Sequence, residues 1–284
     1  MRLLAVPNWS FGRELALLRS VRDTLEAADV RLHFCEADID HNRTVTAFSG
    51  EADVVMDLTM LLAQQILPSI NLARHTGVHP RIGGLDVCPF VPLGRYEPME
   101  VLDAVEYFAR SFATAFNVPV FLYEKSSKGS TKLPNLRKGG FGGLLDRELE
   151  PDFGPTRVHP HLGATVVGWR DFLIALNVNL DTPDVTYAER IAAAIRDMRR
   201  AKTKGWEGVR ALGLTLASRN LTQVSLNLTK PDLSPIDPIV DWIEQVAAGF
   251  GVAVAYPELI GVIRDTDMEH NTRVACRPEQ VVEV

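Results

Sequence analysis

The stretch FLIALNVNLDTPDVTYAERIAAAIRDM, residues 172–198, decides the fold class because its periodicity changes within a few residues. Its first nine residues form a short apolar run of the kind that predicts a buried strand. A turn follows at Thr182 and Pro183. Apolar residues then recur at helical spacing, at Ala188, Ile191, Ile195 and Met198. A strand followed directly by an amphipathic helix predicts a fold that contains both kinds of element.

The rest of the second half continues this alternation. Two strands are predicted in GVRALGLTLA, residues 208–217, and TQVSLNLT, residues 222–229, and the second alternates apolar and polar side chains. A helical stripe follows at Ile239, Ile243, Val246 and Phe250. GVAVAYPEL, residues 251–259, predicts a closing strand. The predicted order is therefore β-α-β-β-α-β, which is the ferredoxin-like order.

The first half shows the same order. The predicted strands are LLAVP, VRLHFCE, RTVTAFSG and DVCPFVPL, with helices near residues 18–28 and from about residue 52. Pro68 should kink or split the second helix. A further helix and the strand VPVFLYE, residues 118–124, extend the pattern. We therefore predict an α+β fold of two ferredoxin-like (βαββαβ) subdomains, residues 1–172 and 173–284, with helices packed on one face of each sheet.

Composition limits the class of protein. The chain has 284 residues, 46% hydrophobic and 23% charged, which is enough to form a large core. A formal net charge of -6 argues against general nucleic-acid binding. Three widely separated cysteines without a CxxC pattern, and no long apolar segment, favour a reducing compartment and no membrane span. We expect a cytoplasmic protein.

A loop-rich segment, residues 124–163, separates the halves and is too long for a simple connector. Its first part carries a run of basic residues without an acidic one: Lys125, Lys128, Lys132, Arg137 and Lys138. Such a run is either a solvated surface or an electropositive rim that attracts a polyanionic ligand.

Neither histidine pair predicts a metal site. His75 and His79 have the i, i+4 spacing of a helical metal pair, but Pro80 keeps the residue before it out of a helix. His159 and His161 lack further ligands nearby, so we expect no metal. The glycine-rich GGFGG (139–143) and GATVVG (163–168) lack the context of nucleotide-binding motifs, and we interpret both as turns.

His79 lies in the constrained loop TGVHPRIGG, residues 76–84. Pro80 and the following glycine pair restrict the backbone path, and polar side chains on such loops often bind or catalyse. A lone histidine can equally be structural. The residues alone favour a functional role only slightly.

Five motifs together extend over nearly the whole chain. They are VPNWSFGR (6–13), DHNRTVTAFSG (40–50), HPRIGGLDVCPFVPL (79–93), DFGPTRVHPHLGATVVGWRDFLIALNVNL (152–180) and RNLTQVSLNLT (219–229). In order and spacing the chain resembles the formiminotransferase family, in the form without a cyclodeaminase domain. The family is dimeric, so the resemblance also implies a homodimer.

The resemblance implies transfer of the formimino group from N-formimino-L-glutamate to N5 of tetrahydrofolate, the co-substrate, with folate in a cleft between the halves. One alternative is a transferase that uses another donor, such as N-formimino-glycine. The other is a non-catalytic folate-binding protein. The partners in each case are small molecules, not nucleic acid or membrane.

The family's functional residues map onto this sequence as follows. The catalytic histidine falls on His79, which can act as general base and then general acid. The acidic partner falls on Glu36, with Asp38 as the alternative. Beyond these residues, the position of Asn8 at the end of the first strand indicates that it either binds substrate or caps a turn. Asn42 and Arg43 either orient the site or anchor the loop. The folate-binding stretch falls on Gly154, Pro155, Thr156, Arg157, Val158, His159, Pro160, His161, Leu162 and Gly163.

One position departs from the family pattern. Phe11 stands where the family commonly has a glutamate. If that glutamate contacts substrate, the donor specificity has changed; if it caps the next helix, only stability has changed. The basic run that begins at Lys125 would suit the polyglutamate tail of cellular folates.

Overall fold

The computed structural model describes residues 1–129 and 133–284. The chain divides into two units, Met1–Arg170 and Asp171–Val284. Both units mix helices and strands, which confirms the predicted α+β class at that level. Among the described residues, no helix combines the length and apolar character needed to cross a lipid bilayer.

A seven-stranded sheet forms the centre of the first unit. Its strands are β1 (Arg2–Ala5), β2 (Asn8–Trp9), β3 (Arg31–Asp38), β4 (Arg43–Glu51), β5 (Leu85–Leu93), β6 (Val120–Leu122) and β7 (Thr165–Trp169). β4 pairs with β3 on one side and with both β1 and β2 on the other. β1 and β2 also pair with β5, which pairs in turn with β7, and β7 pairs with β6. The β3, β4, β1, β2 and β5 pairings are antiparallel, whereas β5–β7 and β7–β6 are parallel.

Helices cover one face of this sheet. They are α1 (Leu15–Ala27), α2 (Ala52–Ile66) and α3 (Pro98–Phe116), and a short α4 (Leu133–Leu136) follows in the basic segment. α3 begins with a proline in its first turn and is followed by Asn117 at φ 51°, features that favour the two ends of a helix. α2 ends at Ile66, two residues before Pro68, because proline cannot continue the hydrogen-bond ladder.

The core between these helices and the sheet is aromatic. Trp9, Phe48, Phe90, Phe108 and Phe112 are fully buried, and the Phe90 and Phe108 rings pack edge to face at 5.1 Å. Removing one such side chain costs about 3–5 kcal/mol. This core fixes the strands that carry the candidate site.

A second apolar cluster includes part of the loop-rich segment. Leu136, Leu144, Leu149 and Val158 pack in one cluster with Phe121, Tyr123 and Val166. GATVVG contributes most of β7, so the interpretation of this sequence as a turn was wrong: Val166 and Val167 pair in parallel with both β5 and β6.

The second unit has a four-stranded antiparallel sheet in the order β11-β8-β10-β9. Its strands are β8 (Ile174–Leu180), β9 (Val209–Leu216), β10 (Leu221–Leu228) and β11 (Val254–Ile260). The helices are α5 (Val185–Arg200), α6 (Ile236–Gly249) and α7 (Asp265–Met268), and β12 (Ile263–Arg264) pairs with β13 (Val281–Val282). The predicted helical stripe of α5 is buried at Ala188, Ile191 and Ile195.

Candidate functional site

His79 lies in the loop between α2 and β5, and hydrogen bonds hold this loop to the β3–β4 turn. The Arg81 guanidinium donates to the Asn42 carbonyl at 2.8 Å, to the His79 carbonyl at 3.0 Å and also to the His41 carbonyl. Gly77 allows the close approach, because a Cβ there would lie 2.3 Å from the His41 carbonyl oxygen. The loop is therefore fixed on both sides of His79.

The hydrogen bonds of the His79 ring define its tautomer. Nδ1 lies 2.9 Å from the Pro80 carbonyl oxygen, which can only accept, so Nδ1 carries the proton. Nε2 then has the free electron pair, and the Arg43 guanidinium donates to it at 2.9 Å. The same Arg43 nitrogen lies 3.1 Å from Nδ1. Arg43 thus lies against the His79 ring, within hydrogen-bond distance of both nitrogens.

The surroundings of His79 favour its neutral form. Burial, and then the positive charges of Arg43 and Arg137, hold the pKa of His79 well below its ordinary value. Both causes penalise the imidazolium. His79 is therefore neutral at pH 7 and can accept a proton.

Arg43 connects His79 to Asn8. Its second terminal nitrogen donates to the Asn8 side-chain oxygen, and the Asn8 amide donates to the Val6 carbonyl at 2.9 Å. Burial lowers the pKa of Arg43 to about 10, so this side chain stays charged at neutral pH. Asn8 and His79 meet through Arg43, which the sequence also named, as a residue that either orients the site or anchors the loop.

Glu36 lies on the same face of the sheet as Asn8, with Val45 between them. In the strand register, Asn8 pairs with Val45 and Val45 pairs with Glu36. Two strand spacings of about 4.8 Å place the Glu36 backbone about 10 Å from that of Asn8. Glu36 is exposed. Its assignment as the acidic partner stays a prediction.

Asp38 contributes to the geometry of the β3–β4 turn. One of its carboxylate oxygens accepts hydrogen bonds from the backbone N–H groups of Asp40, at 2.9 Å, and His41, at 2.7 Å. Asn42 follows at φ 47° and donates its side-chain amide to the Thr76 carbonyl at 2.9 Å. The His41 ring lies 5.7 Å from that of His79, between centroids. Asp38 and Asn42 therefore order the loop beside His79.

The predicted folate stretch packs directly on the His79 loop. The Ala164 N–H donates to Ile82 at 2.9 Å, and the Gly84 N–H donates to Leu162 at 2.8 Å. Gly163 has φ +72°, and a Cβ there would lie 1.9 Å from the Ile82 carbonyl oxygen. Only glycine fits so close an approach.

Within this stretch, the His159 ring closes a tight turn. Its Nδ1 accepts from the N–H groups of His161, at 3.2 Å, and Leu162, at 3.0 Å. Thr156, Arg157 and His161 are exposed and are thus accessible to a ligand.

The basic segment makes several structural contacts. Arg137 pairs with the buried Asp86 at 2.6 Å, and Lys128 pairs with Glu106 at 2.9 Å. The Lys125 ammonium lies 5.0 Å from the centre of the Trp169 ring, Lys138 is exposed, and Lys132 lies outside the described residues. The run is therefore not simply a solvated surface.

Phe11 is a core residue. Its side chain is 2% exposed, and its carbonyl accepts a hydrogen bond from the Thr44 hydroxyl at 2.7 Å. α1 begins four residues later at Leu15, without a side-chain cap. The residue that departs from the family pattern thus packs beneath the site.

Buried thiols and histidines elsewhere add no second reactive centre. Burial raises the pKa of the Cys35 thiol to about 11 and that of Cys88 further. Within residues 1–129 and 133–284, no group of three or more histidine, cysteine or acidic side chains is arranged to hold a metal ion. His75 contacts the Arg81 guanidinium and the Asn42 carbonyl.

Comparison with known proteins places this geometry in a family. Residues 2–170 match the N-terminal subdomain of the formiminotransferase domain, and residues 175–282 match the formiminotransferase domain. The glutamate formimidoyltransferase of Streptococcus pyogenes serotype M1 is 32% identical over 90% of this chain and 87% of its own. That of Thermoplasma acidophilum is 32% identical over 91% and 86%. The formimidoyltransferase-cyclodeaminase of Mus musculus is 32% identical over 91% of this chain but 49% of its own length. The chain belongs to the formiminotransferase family.

Proposed function

We propose that this chain transfers the formimino group from N-formimino-L-glutamate to N5 of tetrahydrofolate, which gives 5-formiminotetrahydrofolate and L-glutamate, a reaction of histidine degradation. The observation that carries this proposal is the similarity, over about 90% of the chain, to two proteins named glutamate formimidoyltransferase. A neutral histidine on a fixed loop supports it, since the reaction needs a group that both accepts and donates a proton.

His79 moves the proton between the two nitrogen atoms that exchange the formimino group. As N5 attacks the formimino carbon, Nε2 accepts the proton that N5 loses. The tetrahedral intermediate then collapses, the bond from carbon to the glutamate nitrogen breaks, and Nε2 returns the proton to that nitrogen. Since Nδ1 stays bonded to Pro80, the ring keeps its orientation throughout.

Arg43 has to leave Nε2 before that step. The carboxylates of both substrates are stronger partners for a guanidinium than a neutral imidazole is. A bound carboxylate therefore draws Arg43 away, exposes Nε2 and reduces the positive field that disfavours the imidazolium. Substrate binding in this way prepares the base.

The remaining site residues have binding roles in the proposal. Tetrahydrofolate, the co-substrate, binds along Gly154–Gly163, because this stretch packs on the His79 loop and exposes Thr156 and Arg157. Glu36 holds the formimino amidinium, and Asn8 positions Arg43. The reaction requires no metal.

The architecture and setting follow from the same proposal. Residues 1–172 and 173–284 form the two subdomains, each with a ferredoxin-like core; in the second unit the strand order β11-β8-β10-β9 supports this. The chain acts as a cytoplasmic homodimer.

The test is absorbance-monitored formation of 5-formiminotetrahydrofolate from N-formimino-L-glutamate. His79→Ala should lower kcat by about 10²- to 10⁴-fold, the usual contribution of a general acid–base. His270→Gln, an exposed position on the second unit, is the control. Equal rates for His79→Ala and wild type would remove the mechanism. Preferential turnover of N-formimino-glycine would change the donor, and folate binding without any transfer would make the chain a folate-binding protein.

A further inference from the structure

The sheet of the second unit has one apolar and one polar face. Gly213, Val224 and Val178 share a row across β9, β10 and β8. A Cβ on Gly213 would lie 2.5 Å from the Glu189 backbone nitrogen, so α5 packs on that face. Side chains in the adjacent rows point the other way. They include Asn177, Asn179, Gln223 and Glu258, here named the amide–carboxylate cluster.

The three amides converge on one carboxylate oxygen. Asn177 and Asn179 each donate to Glu258 Oε1 at 3.3 Å, and Gln223 Nε2 lies 3.2 Å from the same atom. Gln223 also donates to the Asn179 side-chain oxygen at 2.8 Å. The bonds to Oε1 are longer than the usual 2.9–3.0 Å. The cluster orients Glu258 but satisfies it only loosely.

Two acceptors in the cluster remain unused. Gln223 is 0% exposed, and its Oε1 has no hydrogen-bond partner. Glu258 Oε2 accepts no hydrogen bond from the described part of the chain. A buried acceptor without a donor destabilises the folded chain. Gln223 Oε1 therefore requires a donor from outside the cluster, and Glu258 Oε2 has the capacity to accept one.

We infer that the amide–carboxylate cluster binds a planar group with adjacent N–H donors, which pairs with the Glu258 carboxylate. This inference rests on the proposed function, because both substrates contain such a group: the 2-amino and N3–H of the pterin, and the formimino amidine of the donor. Because Oε1 already receives the three amides, Glu258 Oε2 accepts from one N–H of this group in a charge-assisted hydrogen bond. Glu258 is half-buried and is the member of the cluster that contacts the ligand.

Glu258→Gln tests this inference, because it removes the charge and half of the acceptors at nearly constant shape. Binding is measured by titration calorimetry with tetrahydropterin, tetrahydrofolate, N-formimino-L-glutamate and L-glutamate. We expect about 10- to 100-fold weaker binding for one substrate class, the range for a lost charge-assisted pair. Weaker tetrahydropterin and tetrahydrofolate binding identifies the pterin; weaker N-formimino-L-glutamate binding with unchanged L-glutamate identifies the amidine.

Unchanged affinity for all four compounds would overturn the inference. Glu283→Gln, an exposed glutamate, is the matched control and should bind all four as wild type does. If Glu258→Gln does not fold, Glu258→Asp keeps the charge but withdraws the carboxylate by one methylene, and the same loss is expected. Wild-type turnover is measured in parallel: its absence contradicts the proposed function, whereas normal turnover with unchanged binding in the variant contradicts only this inference.

Discussion

At the scale of single residues, the site is a neutral base whose ring lies against an arginine. His79 Nδ1 is committed to the Pro80 carbonyl, and Nε2 accepts from Arg43. The same arginine that blocks the base also disfavours its protonation. Catalytic competence therefore depends on where Arg43 lies, which makes Arg43 a positioning residue.

Replacing Arg43 tests this dependence. Arg43→Gln should raise the pKa of His79, because it removes a positive charge beside the ring. NMR titration of the ring signals measures this pKa directly, and the acid limb of kcat/KM should move to higher pH with it. Arg31→Gln, at an exposed position of β3, should leave the pKa unchanged. A His79 pKa that does not respond to Arg43→Gln would contradict the arrangement.

Phe11 makes a second prediction at this scale. Phe11→Glu should lower the free energy of unfolding by at least about 3 kcal/mol, because it removes a buried aromatic ring and buries an unpaired charge. Urea unfolding measures the change. Tyr107→Glu, an aromatic position on α3 that is 72% exposed, should have little effect. Normal stability with an altered donor preference would instead show that position 11 contacts substrate.

The sequence named His79, Arg43 and Phe11, but it could not settle the roles of Arg43 and Phe11, for a physical reason. His79 could be singled out because its neighbours restrict the loop locally. The two roles left open for Arg43 could not be separated, because its contact with His79 joins residues 36 positions apart, which no local pattern reveals. Phe11 was ambiguous because a side chain's direction after a two-residue strand depends on how that strand pairs.

At the scale of elements, two loops and one turn assemble the site. The His79 loop contacts the β3–β4 turn through Arg81 and the Gly154–Gly163 stretch through Gly84 and Ala164. Helices and antiparallel strands were predictable because their periodicity is local. β7 was missed because it is a short strand that begins just after Gly163 and contains Gly168, and its parallel pairing with β5 depends on distant residues.

Gly77 tests how closely these elements must fit. Gly77→Ala places a Cβ 2.3 Å from the His41 carbonyl oxygen and 2.5 Å from an Arg81 nitrogen, so the loop has to move. A displacement of about 1 Å at a catalytic group can cost about 10²-fold in rate, and we expect a loss of that order in kcat.

The matched control for this substitution is Gly249→Ala. Gly249 is the last residue of α6, and a Cβ there meets nothing within 4 Å. Alanine should leave activity unchanged and stabilise the helix by up to about 1 kcal/mol. If Gly77→Ala keeps full activity, the contact between the loop and the turn is not needed for catalysis.

At the scale of the whole molecule, each unit packs helices on one sheet face and carries polar groups on the other, although in the first unit the second apolar cluster covers the β6–β7 part of that other face. In the first unit, Trp9 points to the helical face and its neighbour Asn8 to the opposite one. In the second, the alternation of TQVSLNLT has the same effect. This division was visible in the sequence as period-two alternation. The chemical role of the polar face was not visible in the sequence, because it depends on which polar side chains come together in the fold.

Two histidines beside the arginines also make the stability of the folded chain depend on pH. Burial and then Arg81 lower the pKa of His75 to about 4, and the pKa of His79 is lowered too. The unfolded chain, with histidine pKa near 6.5, therefore binds protons first, and stability falls as pH decreases from about 6.5 towards 4. The slope per histidine is below about 1.4 kcal/mol per pH unit, and solvent screening reduces it further for the half-buried His75.

Urea unfolding between about pH 7.5 and 5, a range that brackets the unperturbed histidine pKa, measures this dependence. The free energy of unfolding should change less with pH for His75→Gln than for wild type. His270→Gln should keep the wild-type slope, and equal slopes in all three proteins would contradict the prediction.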